Sequence, residues 1–175
     1  NRNQKLDDEQ IKNMKIINNC GNDLLILIND ILDISKIEEG ELSISLSKIN
    51  LYELIENLVL DMQPLANEKG LILNYNSNLN ELFLLSDSNR IKQIIRNLMS
   101  NAIKFTDNGI IKIILEENAN DITLKVIDEG IGISKEKLGY IFERFKQADG
   151  STTRKYGGTG LGLAISKELA SLLGG

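Results

Sequence analysis

Three parts of the chain carry the residue types that a nucleotide site requires. Asp128–Gly132 places a carboxylate beside two glycines, and Gly157–Leu163 supplies backbone amides in a glycine-rich run. Asn97, Asn101 and Lys104 are spaced four and three apart, so a helix would place them on one stripe. A carboxylate can accept from the amine of adenine, amides at a helix start bind phosphate, and amide oxygens suit Mg²⁺. The sequence therefore predicts a pocket for a purine nucleotide, with Lys104 complementing phosphate charge.

Each of these signals has a plainer explanation. Asp-x-Gly-x-Gly after a strand is weak alone, because turns often contain these residues, and an asparagine stripe is equally a solvated helix edge. Gly158–Gly162 has the spacing Gly-x-Gly-x-Gly after a polar loop, whereas a Rossmann turn needs Gly-x-Gly-x-x-Gly after a strand. No Gly-Lys-Ser/Thr occurs, so Rossmann and P-loop sites are rejected. The combination of the glycine runs with the helix stripe favours the nucleotide site.

Composition excludes several other classes of function. The chain has 175 residues, enough for one domain plus an appendage, with no histidine and one cysteine, Cys20. Zinc sites and histidine-based triads are therefore excluded, and a reducing compartment is expected. A net charge of −5 argues against nucleic acid as a partner, and no apolar run is long enough to predict membrane contact.

A long helix is predicted from Gln10 to about Glu39. Its apolar residues alternate spacings of three and four, which is typical of a coiled-coil seam: Met14, Ile17, Gly21, Leu24, Ile28 and Ile31. Packing within the monomer would also cover them, but no other predicted helix matches this length. We therefore expect a homodimer through this helix.

The rest of the chain interleaves helices and strands, which predicts an α/β two-layer sandwich. Strands are expected over Leu42–Leu46, Leu71–Tyr75, Ile110–Leu115 and Ile122–Ile127, the last two as a hairpin. Helices are expected over Leu51–Leu65, bent or interrupted at Pro64, over Ser88–Phe105, and from Thr159 or Gly160 to Leu173. The alternation predicts that Ile122, Leu124 and Val126 are buried.

A polar stretch, Ser134–Gly158, separates the two glycine runs and has the length of a lid or a disordered tether. Phe142 and Phe145 would attach it to the body, although simple packing explains them equally well. Arg154 and Lys155 could reach a terminal phosphate. It is equally reasonable that they are solvated charges on a loop.

Four segments resemble, in order and spacing, the N, G1, F and G2 boxes of sensor histidine kinases: Gln93–Thr106, Asp128–Gly132, Ile141–Gln147 and Gly157–Leu163. Leu24–Gly40 is similar to the second helix of that family's dimerisation and histidine-phosphotransfer domain. Ser151–Gly157 looks most like the hybrid-type kinases. The resemblance covers essentially the whole chain.

This resemblance implies the Bergerat ATP-binding fold, an α+β two-layer α/β sandwich with a mixed sheet and helices on one face. One long helix of a dimeric helical bundle would precede it. Residues 1–41 would be the partial dimerisation domain, and residues 42–175 the catalytic ATP-binding domain. The implied activity is transfer of the ATP γ-phosphoryl group to a histidine outside this segment. A response-regulator receiver domain would be the partner, in the cytoplasm or in the cytoplasmic part of a membrane-anchored sensor.

The resemblance also assigns roles to individual residues. ATP and Mg²⁺ would bind with Asn101 as the metal ligand, Asn97 assisting and Lys104 on phosphate, which makes Asn97 and Lys104 the candidate catalytic residues. Asp128 would read adenine N6, with Gly130 and Gly132 shaping the pocket. The remaining nucleotide contacts would come from the lid and the G2 box: Phe142, Phe145, Arg154, Lys155, Gly158, Thr159, Gly160, Leu161 and Gly162.

The sequence also departs from the family pattern. The family's phosphoacceptor histidine and the helix that carries it are not in this sequence, and the family continues beyond Gly175 with closing strands, so we expect a trimmed segment.

Two alternative functions remain. An ATP hydrolase of the gyrase B and MutL type would have a glutamate base where this chain has Asn97, and an amide cannot accept a proton from water. The other rival is a non-catalytic nucleotide-binding or dimerisation module.

Overall fold

The computed structural model describes residues 7–118, 121–146 and 159–175. Contacts divide the chain into two compact units, Asn1–Leu42 and Ser43–Gly175. The described helices are α1 (Asp8–Glu38), α2 (Leu51–Glu68), α3 (Ser88–Phe105), α4 (Lys135–Leu138) and α5 (Gly162–Leu172). The described strands are β1 (Ser47–Asn50), β2 (Ile72–Ser77), β3 (Phe83–Ser86), β4 (Ile110–Glu117) and β5 (Ile122–Ile127).

The first unit contains helix α1, whose two ends are set by local sequence signals. Asp7 and Gln10 form a reciprocal capping box at the start, so each side chain satisfies a backbone N–H of the other. At the end, Gly40 adopts φ 70°, and Glu41 N–H donates to the Lys36 carbonyl as in a Schellman motif. The predicted long helix is thus present. None of the described helices is long and apolar enough to cross a membrane.

The second unit is built on a mixed sheet. Strand β4 lies between β2, which is parallel to it, and β5, which is antiparallel. Ile111, Ile113 and Leu115 of β4 are fully buried, whereas Lys112 between them is exposed. Helices α2 and α3 pack against each other on the buried face. A separate antiparallel pair joins β1 to β3. The predicted hairpin of β4 and β5 is confirmed, as is the two-layer arrangement.

The β1–β3 pair corrects the prediction for Leu42–Leu46. That segment forms no strand, and the strand begins at Ser47. Leu46 is exposed, and Ser45 N–H donates to Asp87 Oδ2 at 2.9 Å instead of joining a strand ladder. Strand β3 was not predicted, because both short strands bury too few apolar residues to show an alternating pattern.

Helix α2 is not interrupted at Pro64, and the predicted burial of Ile122 was wrong. Helix α2 continues through Pro64, because Met62 and Ala66 on either side are buried in the core and hold the helix together. On β5, Ile122 is 43% exposed and pairs with Glu117 next to the turn of the hairpin. Burial therefore follows position in the sheet rather than the strand pattern alone.

Helix α3 has the predicted bounds, but its most buried residues differ in part from the predicted ones. Helical spacing predicts a core face made of Ile91, Ile94, Ile95, Leu98, Ala102 and Phe105. The buried residues are Ile95, Met99, Ala102 and Ile103, whereas Ile94 and Leu98 are only half-buried. Helix α3 packs against both α2 and α5, so its apolar residues are divided between two neighbours. Helical spacing alone assumes that a helix has one apolar face, so it misassigns the most buried residues of a helix that packs against two neighbours.

Candidate functional site

The start of α3 is anchored by Asp87. Its Oδ1 accepts from the N–H groups of Asn89 and Arg90, at 2.9 and 3.2 Å, and Oδ2 accepts from Ser45. Burial alone would raise the pKa of Asp87, but these backbone donors and the Arg90 charge hold the pKa below its ordinary value. The carboxylate caps the helix and ties it to the segment before β1.

The end of α3 is capped by a lysine from outside the helix. Lys69 Nζ donates to the carbonyl oxygens of Ile103, Lys104 and Thr106 at 2.7, 3.0 and 3.0 Å. A cation at this position satisfies orphan carbonyls and complements the helix dipole. Sequence reasoning missed Lys69, because no local pattern pairs it with a helix 34 residues away.

Helix α3 presents Asn97 to α5, and Asn101 contacts Asn97. Asn97 Nδ2 donates to Ser166 Oγ at 2.7 Å, and Asn101 Nδ2 donates to Asn97 Oδ1 at 3.5 Å. Both asparagines are half-buried, and Ser166 is 6% exposed. A Cβ at Gly162 would overlap Asn97 Oδ1 and lie 2.9 Å from Asn97 Cγ, so this glycine permits the approach of the two helices.

The start of α5 has the features of an anion site. Leu161, the residue before the helix, makes no capping side-chain hydrogen bond, and its own N–H donates to Thr159 Oγ1 at 3.1 Å. Gly160 adopts φ 72°, which only glycine adopts without strain. The amides of the first turn can therefore receive a phosphate group. The Leu161 side chain is fully buried, so only its backbone could take part in a contact.

The Asp128 turn meets the end of α3. Asp128 is exposed, and its Oδ1 accepts from Gly130 N–H at 2.9 Å, which leaves Oδ2 to accept from a base. A Cβ at Gly130 would lie 2.5 Å from the Phe105 carbonyl oxygen, which also accepts from Ile131 N–H at 3.2 Å. Gly132 adopts φ 69°. Glycine at position 130 is thus required by contact with the helix backbone.

Lys104 lies on the last turn of α3. It is half-buried, with Nζ 4.9 Å from the centre of the Phe105 ring, and burial lowers its pKa. A phosphate group would return the electrostatic stabilisation that burial removes from this ammonium. The geometry is therefore compatible with the predicted phosphate contact.

The predicted lid residues are described only in part. Phe142 and Phe145 are 46% and 70% exposed, so neither is packed into the core. Phe145 adopts φ 60°, a conformation rare for a bulky residue, and its N–H donates to the Gly160 carbonyl at 3.2 Å. This bond joins the segment that carries the two phenylalanines to the glycine run. Arg154, Lys155 and Gly158 lie outside the described residues.

The donor set fits Mg²⁺ better than a soft or tightly enclosed metal. In the described part of the chain, no group of three His, Cys, Asp or Glu residues could hold a metal. The available donor is the carboxamide oxygen of half-buried Asn101, because Asn97 Oδ1 already accepts from Asn101 Nδ2. Mg²⁺ retains most of its waters and combines one or two protein oxygens with substrate phosphates, so this sparse set fits.

Comparison with known proteins agrees with this geometry. Residues 86–175 match the family described as histidine kinase-, DNA gyrase B-, and HSP90-like ATPase. The autoinducer 2 sensor kinase/phosphatase LuxQ of Vibrio cholerae serotype O1 is 43% identical over 97% of this chain. The chain spans 20% of the length of that relative.

Solved structures show the same fold. Full-length ShkA in complex with AMPPNP superposes with a TM-score of 0.80 at 30% identity, covering 98% of this chain and 36% of that one. Histidine kinase ThkA in complex with the response regulator TrrA gives a TM-score of 0.69 at 26% identity, covering 99% and 48%. With its mixed sheet and the α3–α5 site, the chain therefore belongs to this ATPase family and carries the ATP-binding catalytic core of a sensor histidine kinase.

Proposed function

We propose that this segment transfers the γ-phosphoryl group of Mg·ATP to a histidine on another segment. A bond from phosphorus to an imidazole nitrogen forms, the bond to the bridging oxygen breaks, and ADP leaves. The chain has no histidine, so the acceptor comes from elsewhere. The observation that carries the proposal is α3 itself, which contacts the α5 start through Asn97 and the Asp128 turn through Phe105.

Within this proposal, each described residue has a task. Asp128 accepts from the adenine amine, and the Gly130–Gly132 turn lets the base approach. Asn101 holds Mg²⁺, which neutralises phosphate charge, and Lys104 contacts phosphate. The amides of the first turn of α5 bind the phosphate groups. Catalysis in such a site rests on positioning and electrostatics rather than on covalent chemistry.

The structure supports transfer over hydrolysis. A hydrolase of the gyrase B and MutL type needs a base to activate water, and Asn97 lies where that base would be. Its Nδ2 is committed to Ser166, and an amide has no lone pair basic enough to take a proton from water. Rapid phosphate release from ATP without a histidine substrate would favour the hydrolase.

We further propose that α1 forms a homodimer. Seam residues of this helix are exposed in the single chain, with Met14 at 57%, Ile17 at 70% and Leu24 at 57%. Exposed apolar residues at seam spacing are costly for an isolated helix. Size-exclusion chromatography with light scattering should give a dimer, and Ile17→Asp with Leu24→Asp should give a monomer. A monomeric wild type would contradict this prediction.

The partner would be a receiver domain of a response regulator, as the ThkA complex with TrrA suggests for this family. We propose a cytoplasmic setting and domain limits of 1–41 for the partial dimerisation helix and 42–175 for the catalytic domain.

The direct test of function supplies the missing histidine. The full chain is incubated with γ-labelled ATP, Mg²⁺ and the helical-hairpin domain of a similar kinase, with a His→Gln hairpin as the control. We expect acid-labile, alkali-stable label on the histidine hairpin alone. Binding of ATP without any transfer would favour the non-catalytic module.

A further inference from the structure

We propose that Ser166 is a positioning residue for the metal-bound nucleotide. It would hold the carboxamide of Asn97 and, through Asn97, orient the carboxamide of Asn101. The inference rests on the proposed function, because it concerns how the Mg²⁺ ligand is presented. It concerns a residue on α5, outside the Gly157–Leu163 run, that the sequence motifs did not assign to the site.

The contact between Ser166 and Asn97 is short, and its serine side is shielded from water. Asn97 Nδ2 and Ser166 Oγ are 2.7 Å apart, and Ser166 is only 6% exposed. The buried Ser166 hydroxyl cannot turn to solvent instead, so leaving this hydrogen bond unmade would be costly. The Asn97 side chain is therefore held in one orientation by a residue on the neighbouring helix.

The orientation of the Asn97 carboxamide in turn sets the orientation of the Asn101 carboxamide. Because the Nδ2 end of Asn97 faces Ser166, its Oδ1 end is left to accept from Asn101 Nδ2 at 3.5 Å. A carboxamide has its nitrogen and oxygen at opposite corners, so a nitrogen directed at Asn97 directs the Asn101 oxygen elsewhere. Asn101 Oδ1 accepts no hydrogen bond from any residue that the structure describes, and it is free to ligate a cation.

Gly162 supplies independent support for this arrangement. A Cβ at position 162 would overlap Asn97 Oδ1 and lie 3.1 Å from Asn97 Nδ2. The Asn97 carboxamide is thus confined between the backbone of Gly162 and the hydroxyl of Ser166, one turn apart on α5. The phosphate-binding helix and the metal-binding helix are locked together at this point.

Outer residues that orient a metal ligand change metal affinity by about 10–100-fold when removed. Replacing Ser166 with valine or threonine gives two variants of nearly equal shape, of which only threonine keeps the hydroxyl. We expect Ser166→Val to reduce the enhancement of nucleotide affinity by Mg²⁺ about 10-fold. Ser166→Thr should retain most of the enhancement, and affinity without Mg²⁺ should change little in either variant. Ser171→Ala, at an exposed position on the same helix, is the matched control.

The experiment is calorimetry of the full chain with a non-hydrolysable ATP analogue, with Mg²⁺ and with EDTA. Equal Mg²⁺ enhancement in the valine and threonine variants would overturn the inference, as would an equal loss of affinity with and without the metal. Failure of the wild type to bind the analogue with Mg²⁺ would instead overturn the proposed function. Urea unfolding, followed by tyrosine signals, checks that both variants are folded.

Discussion

The lysine cap on α3 allows a quantitative prediction. Lys69→Met keeps the length and apolar stem of the side chain and removes the ammonium that donates to Ile103, Lys104 and Thr106. Hydrogen bonds to a charged group contribute about 1.5–3 kcal/mol each, and a cation at a helix C-terminus about 0.3–1 kcal/mol. The three hydrogen bonds share one ammonium group, and Lys69 is exposed, so water can replace part of the stabilisation that they provide. We expect a loss of about 1–2 kcal/mol in the free energy of unfolding of the second unit.

The tyrosines make this unit observable within the whole chain. All four tyrosines lie between positions 52 and 156, and the chain has no tryptophan. Near-ultraviolet circular dichroism during urea unfolding therefore reports on Ser43–Gly175 without α1. This matters because a chain of two units need not unfold in one step.

The control for this measurement is Lys112→Met. Lys112 is exposed on β4 and makes no ion pair with a residue in the described ranges. We also expect Lys69→Met to weaken nucleotide binding several-fold, because the end of α3 carries Lys104 and the backbone that contacts the Asp128 turn. If the two variants unfold within about 0.5 kcal/mol of each other, the range typical of neutral surface substitutions, the capping argument is refuted.

Three other outcomes follow from the site and the core. Asp128→Ala should lower ATP affinity about 10–100-fold with little change in unfolding, from the loss of a charged acceptor worth about 1.5–3 kcal/mol; unchanged affinity in calorimetry would contradict the adenine contact. Asn101→Ala should weaken binding mainly when Mg²⁺ is present, and an equal loss in EDTA would remove Asn101 as the ligand. Burial raises the pKa of Tyr75 to about 12, so folding should become less stable as pH rises from about 10 towards 12, where the unfolded phenol ionises before the folded one. Tyr75→Phe should flatten that pH dependence in urea unfolding, and an unchanged slope would exclude Tyr75 as its source.

Local signals predicted the long elements well. Helix α3 has the predicted bounds because Asp87 caps its start and its apolar residues repeat at helical spacing. The end of α1 follows from Gly40, which adopts the left-handed conformation that a helix terminus requires. Each of these signals depends on residues close together in sequence, so the sequence contains the information.

The short strands, and the burial of helices that pack against several neighbours, could not be predicted from local signals. Strands β1 and β3 are four residues each and pair across the chain, so neither shows a periodicity of its own. Pro64 was expected to bend or interrupt α2, but the helix continues to Glu68, with buried residues on both sides of the proline. Which residues of α3 are most buried depended on the two helices that pack against it.

For the site itself, the sequence alone determined which residue types are present and in what order: the asparagine stripe, the Asp128 turn and the glycine run before α5. Those facts were enough to indicate a nucleotide pocket. Tertiary structure decided that Ser166 holds Asn97 and that Lys69 caps the helix bearing the stripe. These contacts join residues 69 and 34 positions apart in the chain. Their geometry depends on how whole helices pack, which no local pattern of residues specifies.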